Sequence, residues 1–385
     1  MNTSYTEVFS TAYVSEETTV AAALARRPYV RPFNNTEVII TATILFTLCV
    51  VGITGNVITI AVIGSRKSLS TIFNIFILSL CVSDLYSALI SPLQLYRRTW
   101  GFDRWIISDF LCKFYWGSDL WTSFVTATHI ASFALLRLAS IGWPHRFAKV
   151  RMLSIKIFII AVWSITFAVG FVPFSVFMES APRNRSSNHV SSRWPSCTCA
   201  MRWVGHCKWY SHIAYPIFFY LPLVTVVITS VVIAIFLWRR RFNTFSANRQ
   251  TDVEAKKEKQ AIIQLFLIVG SFLVGYIPFT AYAFYTQYPG KKGDNLLRID
   301  WLFGIIQYIC MRTSECLNPI FYNIGSSKMR VETKRFLEKC FCGRSVSKTN
   351  NTVSSSKETN GKLETLDSKV PENFDDPVII DERPL

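Results

Sequence analysis

The chain has 385 residues, half of them hydrophobic, and its formal net charge is +16. Such a charge can indicate a nucleic-acid partner, but the Lys and Arg residues lie mostly between or after long apolar runs, which excludes that class. No G-x-x-x-x-G-K, H-E-x-x-H or G-x-S-x-G motif is present, so the sequence predicts neither an enzyme nor a metal centre.

Seven apolar runs are each long enough to cross the hydrocarbon core of a bilayer, which takes about 20 residues of helix. Backbone in lipid must satisfy its own hydrogen bonds, so we predict that every run is helical. The predicted fold class is therefore all-α, a seven-transmembrane helix bundle with a short amphipathic eighth helix. The predicted spans are 38–64, 73–96, 110–142, 153–177, 211–238, 261–287 and 300–322.

The segments outside these runs define the predicted organisation of the chain. Basic clusters follow helices one, three, five and seven, so the positive-inside rule makes that side cytoplasmic and the N-terminus extracellular. We predict a glycosylated extracellular tail at 1–37, the bundle at 38–322 and an amphipathic cytoplasmic helix at 323–342. Residues 343–385 are rich in polar and charged side chains, which predicts a disordered cytoplasmic tail. The predicted location is the plasma membrane.

Short motifs predict modification on both sides of the membrane. Asn2, Asn34 and Asn184 begin N-x-S/T sequons on predicted extracellular segments. Cys340 and Cys342 follow the amphipathic stretch, where palmitoylation is expected, the alternative being two free thiols. A tail cluster could be phosphorylated, which would add charge for a basic partner. Its members are Ser345, Ser347, Thr349, Thr352, Ser354, Ser355 and Ser356.

Characteristic residues recur in each predicted helix, in a fixed order. They are Gly55-Asn56-Val57, Leu80 with Asp84, Cys112 with Arg137 25 residues later, Trp163 with Pro173, Phe219 with Pro222, Phe272 with Pro278, and Asn318-Pro319-Ile320-Phe321-Tyr322. Together they resemble the rhodopsin-like, class A receptors over about residues 38–342. The resemblance implies a receptor that binds an extracellular ligand and activates heterotrimeric G proteins. Arrestin and receptor kinases would be further partners.

The resemblance also implies a disulfide between Cys112 and the loop that joins helices four and five. Cys199 is the first choice of partner and Cys197 the second. Cys207 would then close a small loop with whichever cysteine is left. Spacing alone does not fix this connectivity.

Polar residues at membrane depth are costly and should face the interior of the bundle. The residues concerned are Asp84, Thr126, Glu315 and Asn318. The resemblance implies a sodium and water site that collapses on activation, so Na⁺ is the one possible cofactor. The alternative is a static network of hydrogen bonds.

The expected cytoplasmic switch departs from the family pattern. Arg137 has Leu136 and Leu138 as neighbours, where the family has an acidic residue and a tyrosine. Glu258, at the base of helix six, is the predicted partner of Arg137, and Tyr322 belongs to the same switch. Because no acidic residue immediately precedes Arg137, an atypical receptor that signals through arrestin or scavenges its ligand is an alternative.

The predicted ligand pocket contains two opposite charges. Asp119 in helix three and Arg312 in helix seven should face each other, and a buried charge needs a partner, so we predict an internal ion pair. Glu315, one turn from Arg312, is the competing partner and would free Asp119 for a ligand amine. A receptor that binds an amine through Asp119 is therefore the alternative to a receptor for an acidic small molecule or a peptide.

Aromatic and basic residues complete the predicted pocket and its entrance. Tyr276, Phe279 and Tyr308 should lie beside the charged pair. The extracellular segments carry more basic than acidic residues, which favours an acidic small molecule or a peptide as the ligand. The basic residues are Arg97, Arg98, Arg183, Arg185, Arg193, Arg202, Lys208, Lys291, Lys292 and Arg298.

Overall fold

The computed structural model describes residues 31–102, 104–182, 195–243, 252–287 and 294–342. The sequons at Asn2 and Asn184 and the tail from residue 343 lie outside the described residues, as do the side chains of Glu258 and Cys342. The described chain is a helix bundle with one β-hairpin, so the predicted all-α fold is confirmed.

The helices follow the chain in the predicted order. They are α1 (Asn35–Ser65), α2 (Ile72–Arg98), α3 (Asp109–Gly142), α4 (Met152–Thr166, then a π-turn at Phe167–Phe171 and Val172–Phe177), α5 (Val204–Tyr215, a π-turn at Pro216–Tyr220, then Leu221–Asn243), α6 (Asp252–Gln287), α7 (Asp294–Gly325) and α8 (Ser327–Cys342). Helices α5, α6 and α7 begin earlier than predicted. Hydropathy marks only the stretch that crosses lipid, whereas a helix can continue beyond it into water.

Side-chain caps explain where the first helices begin. Asn34 Oδ1 accepts a hydrogen bond from the Glu37 amide, and the Glu37 carboxylate accepts one from the Asn34 amide, both at 2.8 Å. Thr71 and Ser108 cap α2 and α3 in the same way, through the third residue after each cap. These bonds satisfy backbone donors that the first turn of a helix leaves unpaired.

Prolines shape the middle of the bundle. Each π-turn precedes a proline, Pro173 in α4 and Pro222 in α5, whose missing N–H and bulky ring disturb the regular helix. Pro278 lies inside α6 and Pro319 inside α7. Gly275 lets α6 approach α7 closely, because a Cβ atom there would lie 2.8 Å from Ser314 Cβ.

One membrane helix is more polar than the others. Six described helices, α1 to α6, are long and apolar enough to span a bilayer. α7 has 32 residues but falls short of that apolarity, since Arg312, Glu315 and Asn318 lie in its middle. Its side chains therefore need polar partners inside the bundle.

The extracellular hairpin corrects the predicted disulfide. Strands β1 (Met178–Pro182) and β2 (Pro195–Cys199) are antiparallel, and Ser180 lies opposite Cys197. Cys112 is bonded to Cys197, and Cys199 is bonded to Cys207. The first-choice partner Cys199 was therefore wrong.

The contacts of the hairpin explain this pairing. The Ser180 amide donates to Asp109 Oδ1 at 2.7 Å, and the Trp105 amide donates to the Pro195 carbonyl at 2.7 Å. Both bonds hold the hairpin against the start of α3, next to Cys112. Cys197 is buried there, whereas Cys199 lies at the end of β2, where the chain turns toward α5.

Candidate functional site

A buried charge cluster joins α3 to α7. Arg312 is 2% exposed, and its Nη2 lies 2.7 Å from Asp119 Oδ1 while its Nη1 lies 2.6 Å from Glu315 Oε2. The two predicted partners are therefore both present. The guanidinium also lies 4.6 Å from the centre of the Tyr308 ring, a cation–π contact.

The cluster continues into a polar network between α2 and α7. The Ser87 hydroxyl donates to Glu315 Oε2 at 3.0 Å, and Asn318 Nδ2 donates to Asp84 Oδ2 at 2.8 Å. Asp84, Glu315 and Arg312 line one small cavity against α1. The polar residues predicted for the bundle interior therefore lie beside the predicted ligand residues, as one connected region.

Several oxygens in this network have no donor. Asp84 Oδ1, Glu315 Oε1 and Asn318 Oδ1 are buried and accept no hydrogen bond from the described residues. Asp119 and Glu315 pair with Arg312, and Asp84 lines the same cavity as Glu315 and Arg312. Unpaired buried oxygens fit a hard cation, which prefers oxygen ligands. Thr126, the remaining predicted member, is buried with its hydroxyl 3.0 Å from that of Ser83.

The other two predicted ligand residues belong to an aromatic cluster. Phe279 and Tyr276 on α6 lie 4.7 and 6.1 Å, between ring centres, from Phe219 on α5. The Tyr276 hydroxyl donates to the Ser123 carbonyl on α3 at 3.5 Å, one turn below Asp119. Helix α3 therefore contacts both groups, and the predicted ligand residues divide into a charged half and an aromatic half.

The structure adds Arg98 to the candidate site, although its sequence position predicted only a cation of an extracellular loop. It lies in the last turn of α2 and is 7% exposed. Its Nη2 donates to the Tyr282 hydroxyl at 3.3 Å, and its guanidinium packs against Gly304 of α7. Tyr282 is its described hydrogen-bond partner, and Asp300 is the acidic residue whose charge acts on it. The available signal was an arginine at the end of an apolar helix.

The cytoplasmic end contains a second unexpected contact. Arg137 Nη2 donates to Gln264 Oε1 of α6 at 3.1 Å, and the guanidinium lies 3.6 Å from the centre of the Phe73 ring. The predicted Arg137–Glu258 pair stays a prediction, because the Glu258 side chain is outside the described residues. Tyr322 is fully buried, and its hydroxyl has no hydrogen-bond partner among the described side chains.

The predicted modification sites that are described lie on the surface. Cys340 is exposed on α8. Asn34 is exposed as well, and its Oδ1 caps α1 while its Nδ2 makes no described hydrogen bond. Attachment of a glycan to Nδ2 is therefore compatible with the cap.

Seven helices, a disulfide from α3 to the extracellular hairpin and a charged core between α3 and α7 define a seven-helix membrane receptor. Residues 55–322 match the family described as 7 transmembrane receptor (rhodopsin family). The chain belongs to this family, and the predicted family is confirmed. It is a multi-pass membrane protein that binds a ligand and couples to G proteins, and it is a receptor rather than an enzyme.

Two kinds of curated relative illustrate this membership. The chain is 29% identical over 298 residues to the growth hormone secretagogue receptor type 1 of Homo sapiens, and 28% identical to that of Mus musculus, covering 75% of this chain and 78% of each relative. It is 25% identical over 287 residues to the histamine H2 receptor of Homo sapiens, covering 72% of this chain and 74% of the relative.

Proposed function

We propose that this receptor responds to a ligand that carries an acidic group, either a small molecule or a peptide. One observation carries the proposal: Arg98 is a buried guanidinium between α2, α6 and α7, and its described hydrogen bond goes to the neutral Tyr282 hydroxyl rather than to a carboxylate. A buried charge is costly unless it is well paired, so the site gains from a ligand that brings a carboxylate to this guanidinium. The planar donors of a guanidinium suit a carboxylate.

A ligand that enters more deeply reaches the Asp119–Arg312–Glu315 cluster. An anionic group there competes with Asp119 for Arg312, whereas Glu315, on the same helix, can remain paired. Loss of the Asp119–Arg312 bond releases a tie between α3 and α7. Ligand binding then favours a second arrangement of the bundle, because it contacts the two arrangements differently.

An amine ligand is the second candidate, and one relative is by name a receptor for the amine histamine. Asp119 is the acid an amine would use. Its Oδ1 already binds Arg312 at 2.7 Å, so an amine would have to displace an internal guanidinium first. This cost is the reason that we favour the acidic ligand.

Pairs of ligands that differ only in charge test this proposal. We expect carboxylates, and not the matching carboxamides, to stimulate nucleotide exchange on purified G proteins. Arg98→Gln should raise the concentration needed for half-maximal response by about 10- to 100-fold, the range for loss of a charge-assisted hydrogen bond. Arg98→Lys should lose less, and Arg202→Gln, which removes an exposed cation on the same side, should change little. Equal responses to both members of each pair would refute the proposal.

Further features of the receptor belong to the same proposal. The distribution of Lys and Arg supports an extracellular N-terminus and a plasma-membrane location. The Ser and Thr cluster after residue 343 supports phosphorylation by receptor kinases and arrestin binding. The unusual neighbours of Arg137 leave an arrestin-signalling or scavenging receptor as the alternative. A receptor that binds its ligand but does not stimulate nucleotide exchange would favour this alternative.

Sodium is the proposed allosteric ion. Asp84 would hold it, with Thr126 and the free oxygens of Asn318 and Glu315 nearby. The ion would balance the charge of Asp84, which accepts a hydrogen bond from Asn318 but has no ion pair among the described residues. In this proposal, Asp84 and Asn318 hold the resting arrangement of α2 and α7.

A further inference from the structure

Helices α1, α7 and α8 enclose a cleft that is separate from both the ligand site and the Arg137 region. It is open on one side and has a volume of about 340 Å³. Ile58 of α1, Ile320 and Ile324 of α7, and Leu337 of α8 form its apolar walls. The described side chains leave this space open.

The mouth of the cleft faces the lipid. Ile320 and Ile324 belong to the same membrane helix and are 48% and 49% exposed. In a membrane, these surfaces contact acyl chains. Apolar walls alone identify no particular lipid, so selectivity has to come from the α8 end of the cleft.

The α8 end is polar and positively charged. This helix carries five Lys and Arg residues and two Glu residues, a net charge of +3. Lys334 pairs with Glu338 at 3.8 Å and Arg335 with Glu332 at 3.0 Å. Arg330, which lines the cleft, is exposed, and its side chain makes no ion pair or hydrogen bond with the described residues.

Two further cleft residues carry polar atoms without partners. Thr333 Oγ1 and Asn323 Oδ1 are covered by neighbouring side chains and make no hydrogen bond with the described residues. Threonine adopts two χ1 rotamers in helices, so its hydroxyl can turn toward a bound group. Asn323 Oδ1 is an acceptor and needs a donor, which a headgroup ammonium or hydroxyl provides.

We propose that this cleft is a binding site for one anionic phospholipid from the leaflet that α8 borders. An acyl chain lies along Ile320 and Ile324, and the phosphate binds the Arg330 guanidinium and the Thr333 hydroxyl. Phosphatidylserine satisfies each requirement, because it adds an ammonium group to the phosphate. Basic residues beside a membrane helix attract such lipids electrostatically, and the cleft adds a fixed place for one molecule.

Neutral membrane lipids fit this arrangement less well. A sterol could fill the apolar walls, but its single hydroxyl would leave the Arg330 charge without a counter-charge. Phosphatidylcholine has a phosphate, but its trimethylammonium group cannot donate a hydrogen bond to Asn323. The charge of Arg330 therefore distinguishes the proposed ligand from a sterol, and Asn323 distinguishes it from phosphatidylcholine. Phosphatidylethanolamine supplies both a phosphate and an ammonium group, so the net positive charge of α8 is what favours the anionic lipid over it.

Native mass spectrometry of the purified full-length receptor tests the proposal. We expect one palmitoyl-oleoyl phosphatidylserine to be retained in preference to phosphatidylcholine with the same chains. Arg330→Gln should reduce retention about fivefold, the factor that one membrane-surface cation contributes. Arg330→Lys should retain most binding. The matched control Lys339→Gln removes another cation of α8 that does not line the cleft, and should have little effect.

A second variant and a second measurement locate the lipid. Thr333→Val removes a hydroxyl without a partner and keeps the side-chain shape, so it should fold normally and still reduce retention. Phosphatidylserine with a diazirine on its acyl chain should label peptides that contain Ile320 and Ile324, and soluble glycerophosphoserine should not compete. The proposal is wrong if phosphatidylcholine, phosphatidylethanolamine or a sterol is retained equally well, if Lys339→Gln matches Arg330→Gln, or if labelling falls elsewhere.

Discussion

At the scale of single residues, Arg312 is buried and paired with two carboxylates, Asp119 and Glu315. Arg312→Met would leave Asp119 and Glu315 without their cation, so we expect a loss of about 3–5 kcal/mol in stability and little receptor at the cell surface. Asp119→Asn should cost less, about 1–3 kcal/mol, because Glu315 still pairs with Arg312. Thermal unfolding of purified protein and surface staining measure both effects. Normal expression of Arg312→Met would contradict a structural role for the cluster.

The two carboxylates also decide how a charge swap behaves. Exchanging Asp119 and Arg312 puts an aspartate three residues before Glu315 on α7, where like charges repel. The double swap should therefore not restore expression, whereas adding Glu315→Gln to it should restore part. Surface staining of the double and triple variants distinguishes these outcomes. Full rescue by the double swap would mean that Glu315 contributes nothing.

Asp84 provides the residue-scale test of the proposed ion. We expect the unfolding temperature of the purified receptor to be a few degrees higher in sodium chloride than in choline chloride at equal concentration. An ion that binds only the folded state stabilises that state by mass action. Asp84→Asn removes the charge and should abolish the difference. If the difference persists in this variant, the ion binds elsewhere.

Residues also mark the limit of what the sequence could predict. The Asp119–Arg312 pair was predictable, because a buried charge in lipid has few possible partners. Arg98 was not, because hydropathy cannot tell an arginine just inside the bundle from one in a loop. Gln264 was missed because an uncharged side chain in an apolar helix gives little signal of its role.

At the scale of elements, the tie between α3 and α6 rests on Arg137 and Gln264. We expect Gln264→Ala to raise basal nucleotide exchange, since it removes the described hydrogen bond that holds α6 against Arg137. Gln264→Glu should lower it, because a carboxylate would turn this hydrogen bond into an ion pair with the Arg137 guanidinium. Both are measured per receptor at the surface. Opposite signs would show that this contact favours the active arrangement.

The two disulfides should contribute unequally to the hairpin and the bundle. Cys112–Cys197 joins residues 85 positions apart, and Cys199–Cys207 joins residues 8 apart. Loop-closure entropy predicts about 4–5 kcal/mol for the first and about 2–3 kcal/mol for the second. Cys112→Ser with Cys197→Ser should therefore remove the receptor from the surface, while Cys199→Ser with Cys207→Ser should leave a measurable fraction. The reverse ranking would contradict the pairing.

The elements were predictable to different degrees. Long apolar runs gave α1 to α7 in order, because lipid leaves the backbone little alternative to a helix. The hairpin pairing was not predictable, because Cys197 and Cys199 lie two residues apart. Strand register and the contacts of Asp109 and Trp105 decide between them.

At the scale of the whole molecule, variants of Asn34 can test the orientation of the N-terminus in the membrane separately from the capping of α1. Asn34→Asp keeps a capping side chain and removes the sequon, whereas Asn34→Ala removes both and should cost α1 about 1 kcal/mol. We expect each variant to lose a glycosidase-sensitive mass shift, and only the alanine variant to unfold at a lower temperature. An N-terminal tag that stains only permeabilised cells would contradict the proposed orientation.

The polarity of α7 has a consequence for how the receptor is made. An arginine at the centre of a helix costs about 2.5–3.5 kcal/mol during insertion from the translocon, and α7 carries a glutamate and an asparagine as well. Glu315, on the same helix, can pair with Arg312 during insertion, but the second counter-charge, Asp119, belongs to α3, which is synthesised much earlier. Nascent α7 therefore enters the bilayer most readily beside helices that are already assembled. Insertion of α7 thus depends on correct assembly of the earlier helices. A chain whose first three helices have assembled wrongly would present its last helix to quality control.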